Sequence, residues 1–386
     1  MKEWKLNRRH GVAIACAAMF GMASGAAMAQ ANTVEIGFAG PLTGGSANYG
    51  KDMEMGAQLA ISEANAEKIT IGGKQITFDL HSEDDQGDPR VAVQAAQRLV
   101  DSNVVAVVGH FNSGPTIAAS AIYNRAGIPQ IVPASSNPSI TRQGFKFLYR
   151  PYGTDDTVAE SAADYAVKTL KAPRIAVVDD RTAYGQGLAD EFAKAVKAEG
   201  GDLVDREYTN DQAVDFRAIL TTLKQKRADV VFFAGLGGQG SSFAKQARQV
   251  GYTGTLMAGA TFANKKFLTL TGSAAEGMLA FEQGGQLAST PEGKGFLTRF
   301  HAKFGTDPVG FASFAYNATW VAIDGMKAAN STTPDVFGPA IGKLSFNGIL
   351  GKIEFDQNGQ LKSPKTTLYK VVDGAWTPVR ADVEKK

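Results

Sequence analysis

The residues of this chain best placed to do chemistry lie where a strand gives way to a helix. The apolar run Val104 to Val108 passes into Gly109-His110-Phe111-Asn112-Ser113, and a helical pattern follows from Ser113 to Arg125. The first N–H groups of such a helix have no intrahelical acceptor, and the helix dipole puts partial positive charge at the same end. That end is an anion site, suited to a carboxylate. Ser113 can add a hydroxyl donor there, although capping the helix is the plainer use of a serine at that position.

Other motifs carry less. Gly235-Leu236-Gly237-Gly238-Gln239-Gly240 matches G-x-G-x-x-G between a strand and a helix, the context a dinucleotide site requires. No Asp or Glu occurs between Gly240 and Glu276, so the ribose-binding acid expected about 20 residues on is missing. The glycines read instead as a cleft-lining turn with little side-chain bulk. His81 falls in a strand, His301 sits among charged neighbours on a helix, and only His110 is expected to point toward a cleft. Without a G-x-S-x-G elbow, His110 reads as a hydrogen-bonded structural group rather than a hydrolase base. The cluster Asp84, Asp85 and Asp88 matches no calcium loop, and Asp88-Pro89 reads as a helix start. No catalytic residue, cofactor or metal site is assigned.

The elements that must position these residues alternate regularly. Short apolar, β-branched runs (34–38, 76–80, 104–108, 128–132) are separated by helical patterns (51–66, 89–101, 113–125). A second series follows: helix 154–170, strand 174–178, helix 184–199, strand 203–208, helix 216–226, strand 230–234, helix 241–250 and strand 255–257. Such alternation predicts βαβ units and two open parallel, Rossmann-like sheets, an α/β fold. Three more helical patterns (291–304, 314–329, 334–344) precede strands at 352–355 and 367–372, the first of them ending at the turn Asp356-Gln357-Asn358-Gly359. No low-complexity linker or short-period repeat interrupts the chain, which favours two lobes joined by short crossovers.

The N-terminus sets the compartment. Lys2, Lys5, Arg8 and Arg9 precede an apolar run from Val12 to Met22 and the pattern Ala27-Met28-Ala29, the signature of a secretory signal peptide over residues 1–29. The run is too short to span a bilayer, which takes about 20 residues. Cys16, the single cysteine, lies inside it, so a cleaved chain would hold no thiol, no disulfide and no Cys metal site. Cleavage also removes four basic residues and Glu3, bringing a chain of 40 basic and 38 acidic residues close to neutrality. That balance offers no field for nucleic acid or an anionic membrane. What remains is long enough for two domains.

Five ordered segments then carry a resemblance: Gly40-Pro41-Leu42-Thr43-Gly44 with Tyr49-Gly50; Asp84-Asp85 with Asp88-Pro89; Val108-Gly109-His110 with Ser113; Pro133-Ala134-Ser135-Ser136; and Tyr184-Gly185-Gln186-Gly187. Together they resemble the periplasmic leucine/isoleucine/valine-binding proteins, type I solute-binding proteins of ABC transporters. The resemblance implies an exported monomer that is not an enzyme. Its ligand, an amino acid or other small carboxylate, would sit in a cleft between lobes 30–151 plus 285–361 and 152–284 plus 362–386. Three crossovers are implied, near Arg150, Glu282 and residue 362. The implied partners are ABC permease subunits in the inner membrane, with no nucleic acid.

The resemblance also implies site roles. Ser113 and Ser136 would hold the ligand carboxylate, with Ser135 beside them, and the Ala134 carbonyl would accept from an ammonium. Tyr49 and Tyr184 would close the cleft from either lobe, and Phe111 would form part of the apolar wall. Three departures stand out. The acid that faces the ligand ammonium in branched-chain binders aligns with Ala260, a family tyrosine aligns with Leu236, and the two cysteines of the family disulfide align with Gly87 and Asn112. Either an acid from elsewhere, such as Glu282, completes the site for an aliphatic amino acid, or the ligand is a keto, hydroxy or aromatic acid without an ammonium. A ligand-sensing subunit would use the same fold.

Overall fold

A computed structural model describes residues 32–380; the signal-like segment and Cys16 lie outside it. The chain opens with β1 (Asn32–Gly40), α1 (Ala47–Ala66), β2 (Thr70–Ile71) and β3 (Lys74–Asp84). It continues with α2 (Pro89–Asp101), β4 (Ala106–Gly109), α3 (Ser113–Ala126), β5 (Gln130–Ile131), α4 (Ser139–Arg142) and β6 (Leu148–Tyr149). These strands form one sheet in the order β2-β3-β1-β4-β5-β6, parallel except for the short β2–β3 hairpin. Local chemistry explains the sharp boundaries of α2. Asp88 accepts from the N–H groups of Arg90 (2.7 Å) and Val91 (3.3 Å), and Pro89 occupies the first helical position, where its missing N–H costs nothing.

The second series comprises α5 (Asp155–Asp164), extended by a wider π-type turn over Tyr165–Thr169, then β7 (Ile175–Asp179), α6 (Ala183–Ala198) and β8 (Leu203–Tyr208). After these come α7 (Arg217–Gln225), β9 (Val230–Ala234), α8 (Gly237–Gln249), β10 (Thr255–Ala258), α9 (Lys265–Thr271) and β11 (Leu279–Gln283). The chain then adds α10 (Pro291–Phe304), α11 (Ala312–Ala329), α12 (Pro334–Ile341) and the hairpin β12 (Ser345–Gly348) with β13 (Gly351–Glu354). It ends with β14 (Thr366–Val372) and β15 (Ala375–Arg380), which complete a second sheet ordered β15-β14-β11-β10-β9-β7-β8. The expected parallel sheet is therefore mixed, because β14 and β15 join its edge antiparallel.

Both sheets are covered on both faces, which is why their central strands read as unbroken apolar runs. Along β7, Ile175 and Val177 enter the layer under α5 and α6, whereas Ala176 and Val178 enter the layer under α7 and α8. In the first lobe α1 and α11 cover one face and α2 and α3 the other. Three passes link the lobes. Arg150 bridges Gln360, with its N–H on the Gly359 carbonyl (2.8 Å) and its carbonyl accepting from Leu361 N (3.1 Å), so the first and last passes run side by side. The middle pass follows Gln283, whose Nε2 donates to the Thr154 carbonyl (3.2 Å). Among the described residues no helix is long and apolar enough to cross a membrane.

Candidate functional site

The C-terminal ends of the strands in the two sheets face each other, and a cavity of about 310 Å³ lies between them. It is lined by Ser113, Ala134 and Ser136 with Phe111 and Asn112 from the first lobe, by Leu236, Ala260, Thr261 and Tyr184 from the second, and by Tyr152 and Phe311. Seven of the nine expected ligand residues therefore meet at one surface.

At the polar end stands the start of α3. Asn112 is its N-cap by backbone, but its side chain makes no capping bond, and Pro115 has no N–H. The free backbone donors of the first turn are thus those of Ser113 and Gly114. Ser113 does not cap the helix. Its hydroxyl accepts weakly from Asn137 N (3.4 Å) and keeps its proton for another acceptor.

Two expected residues stand behind the lining instead of in it. Ser135 is buried and ties the loops together, with its hydroxyl donating to the carbonyls of Phe111 (2.9 Å) and His110 (3.1 Å) and contacting Thr116 Oγ1. Tyr49 stacks on Phe111 (ring centroids 5.2 Å apart) and meets Phe311 edge-on at 5.5 Å. Its hydroxyl reaches across to the Thr261 carbonyl at 3.0 Å, and burial pushes the phenol up to about 12.

The apolar wall includes residues that sequence patterns did not single out. Phe311 is held in place by Asp52, a fully buried acid on α1 that accepts from the N–H groups of Val309 (2.7 Å), Gly310 (3.0 Å), Phe311 (2.7 Å) and Ala312 (2.8 Å). The same four bonds cap α11. Tyr152 lies on the first crossover and packs edge-on against Phe314. Thr261 has φ +90°, unusual for a β-branched residue. It is fixed by bonds from Gly237 N to its hydroxyl (2.9 Å) and from Asn264 Nδ2 to its carbonyl (2.8 Å). No sequence signal marked Asp52, which stands beside Lys51 and near Glu54 in the first third of α1.

Other residues stand where the sequence did not lead one to expect them. His110 does not face the cleft. It is fully buried, with Nδ1 2.6 Å from Asp85 Oδ2 and Nε2 3.1 Å from the Tyr123 hydroxyl, because its loop turns it under α3. The glycines from Gly237 to Gly240 form the first turn of α8, not a loop turn. They permit close packing, since a side chain at Gly237 would strike the Thr261 carbonyl and one at Gly240 the Phe262 ring. Gly87 and Asn112, which align with the family cysteines, are neighbours: a Cβ on Gly87 would stand 3.3 Å from Asn112 Oδ1. Glu282 does not line the cavity. Its carboxylate accepts from Phe262 N (3.2 Å) and Ala263 N (3.0 Å) behind the Thr261 loop, and burial raises it to about 7.

Two α/β lobes around such a cleft do not by themselves name a role, and comparison with known families supplies it. The chain matches the periplasmic binding protein family over residues 33–375. It belongs to that family. Similar relatives of this periplasmic binding protein include a Leu/Ile/Val-binding protein homolog of Brucella melitensis, 33% identical and covering 95% of this chain and 96% of the relative. Another is the leucine-, isoleucine-, valine-, threonine- and alanine-binding protein of Pseudomonas aeruginosa, 33% identical over 88% of this chain and 90% of that one. A similar solved structure is the branched-chain amino acid transporter substrate-binding protein LivJ of Streptococcus pneumoniae in complex with isoleucine. It has a TM-score of 0.80 and 27% identity, covering 92% of this chain and 100% of that one. The family's members are solute-binding transport proteins of the periplasm that serve ABC importers.

Proposed function

We propose that this protein is the substrate-binding component of an ABC importer and that its ligand is a branched-chain or related aliphatic amino acid. The observation that carries the reading is the cavity itself, with donors at Ser113, Ser136 and the start of α3 at one end and Phe111, Tyr152, Leu236, Ala260 and Phe311 around it. A carboxylate fits the first and an aliphatic side chain the second. The relatives' names agree with that division.

Mechanism follows from the lobes, taken as 30–151 plus 285–361 and 152–284 plus 362–386. A ligand held by Ser113 and Ser136 from one side and by Tyr184 and Leu236 from the other stabilises the closed arrangement by contacts it cannot make when the lobes part. The closed monomer is what a permease in the inner membrane would recognise. On this reading residues 1–29 are an export signal removed in the periplasm, and the protein performs no catalysis. The test is calorimetric titration with L-leucine, L-isoleucine and L-valine, followed by recovery of the ligand. One-to-one binding with unchanged ligand is expected, and chemical conversion of the ligand would contradict the reading.

A further inference from the structure

Asp155, which opens α5, is a carboxylate beside the cleft that none of the contacts described above uses. It is 1% exposed. Its N–H donates to the Ser136 carbonyl at 2.9 Å and its carboxyl shares a hydrogen bond with the Ser136 hydroxyl, yet Oδ2 has no hydrogen-bond partner. On the second-lobe side a Cβ at Gly187 would stand 3.6 Å from that oxygen and closer still to Asn137 Nδ2, so the Asn137 amide fills the space beside it. Arg150, the buried cation of this region, spends its hydrogen bonds on the neutral oxygens of Gln360 (2.6 Å), Asn137 (2.7 Å), Ser135 (3.1 Å) and Thr141 (3.4 Å).

We propose that the Asp155 carboxylate is the counter-charge for the ligand ammonium, replacing the acid that the Ala260 position lacks. The proposal rests on the amino-acid reading above and deepens it. The ammonium and carboxylate of an α-amino acid hang on one carbon, so the groups that bind them must be adjacent. Ser136 lines the cavity and touches Asp155, so the acid stands one hydrogen bond away from the carboxylate end. A buried carboxyl oxygen without a donor is costly, and an ammonium brings three. A keto acid would set its own carboxylate near Asp155 with no donor between them, so the same acid that attracts the amino acid repels its analogue. Of the rival acids, Glu282 caps the Thr261 loop. Asp180, whose Oδ2 is also without a partner, accepts through Oδ1 from the Thr182 hydroxyl (2.6 Å) and N–H (3.0 Å) beneath α6, and among the described residues makes no side-chain hydrogen bond to one lining the cavity.

The experiment is titration calorimetry of L-leucine and of its keto acid, 4-methyl-2-oxopentanoate, against the wild type, Asp155→Asn and Glu282→Gln. The expected result is a ten- to hundredfold loss of leucine affinity in Asp155→Asn, the loss expected when a hydrogen bond to a charged group goes, with keto-acid affinity unchanged or raised. Equal losses for both ligands would mean a structural role, and wild-type leucine affinity in Asp155→Asn, or a selective loss in Glu282→Gln alone, would also overturn the proposal. Should Asp155→Asn fail to fold, carboxyl ¹³C NMR of the wild type decides. Leucine, and not the keto acid, should move the Asp155 resonance to its ionised position, and no movement with leucine bound overturns the assignment. A wild type that binds the keto acid and not leucine removes the amino-acid reading together with this one; leucine binding that ignores Asp155 removes this one alone.

Discussion

The Tyr49 hydroxyl donates to the Thr261 carbonyl across the cleft, 3.0 Å away and 212 residues along the chain. This bond exists only when the lobes are together, so it favours closure without touching ligand. Tyr49→Phe keeps the stack on Phe111 and removes the bond alone. Ligand affinity should fall by about 0.5–1.5 kcal/mol, roughly two- to tenfold, and small-angle scattering should show a larger ligand-free radius. Unchanged affinity and radius would mean that the bond does not contribute to closure.

Ser113→Ala removes a hydroxyl donor and leaves the backbone of α3 intact. Because Asn112 provides the N-cap backbone and Ser113 does no capping, stability should hardly change. Leucine affinity should drop by about 1–3 kcal/mol, the range for a hydrogen bond to a charged group. A wild-type affinity in calorimetry would take Ser113 out of the site.

Asp52→Ala strips four backbone N–H groups of their acceptor at the start of α11. Urea unfolding should show a loss of about 3 kcal/mol or more, since each buried orphan donor is costly. Leucine binding should weaken too, because Phe311 loses its anchor. A stability within about 0.5 kcal/mol of wild type, the scatter of neutral surface changes, would show that the loop is held by something else.

Asp155 gives a pH signature. Burial raises its carboxyl to about 7, well above its unfolded value, with the Ser136 hydrogen bond and Arg150 acting the other way. A group whose folded pKa is raised favours the native state below its unfolded pKa and withdraws that support as pH rises through the folded one. The ligand-free wild type should therefore lose stability relative to Asp155→Asn between pH 5 and 8, by a few kcal/mol at most. Thermal melts of both proteins across that range check it, and a constant difference would show that Asp155 does not titrate there.

How much could be read from sequence depended on whether the deciding contact was local. Helix α2 was legible to the residue because Asp88 and Pro89 mark its start in adjacent positions. The run 128–132 was legible as a strand, but only Gln130 and Ile131 pair, since Ile128 ends the turn after α3 and Pro133 stops the ladder. Ser113, Ser136 and Leu236 fall at strand ends, where an α/β sheet must open its cleft, and so were findable. Phe311 was not, because its place depends on Asp52, some 259 residues away. Thr261 was missed because nothing in a threonine announces φ +90°. Asp155 was hidden in plain view, as an acid in the first turn of a helix is ordinary.

The central claim is that an aliphatic amino acid is the ligand, and a thermal-shift series on the ligand-free protein tests it most directly. A specific ligand stabilises by RT ln(1 + [L]/Kd), about 2.7 kcal/mol at a hundredfold excess over Kd. The account predicts that leucine, isoleucine or valine raises the melting temperature with concentration while the matching keto acids do not; stabilisation by keto acids alone, or by none of these compounds, would contradict it.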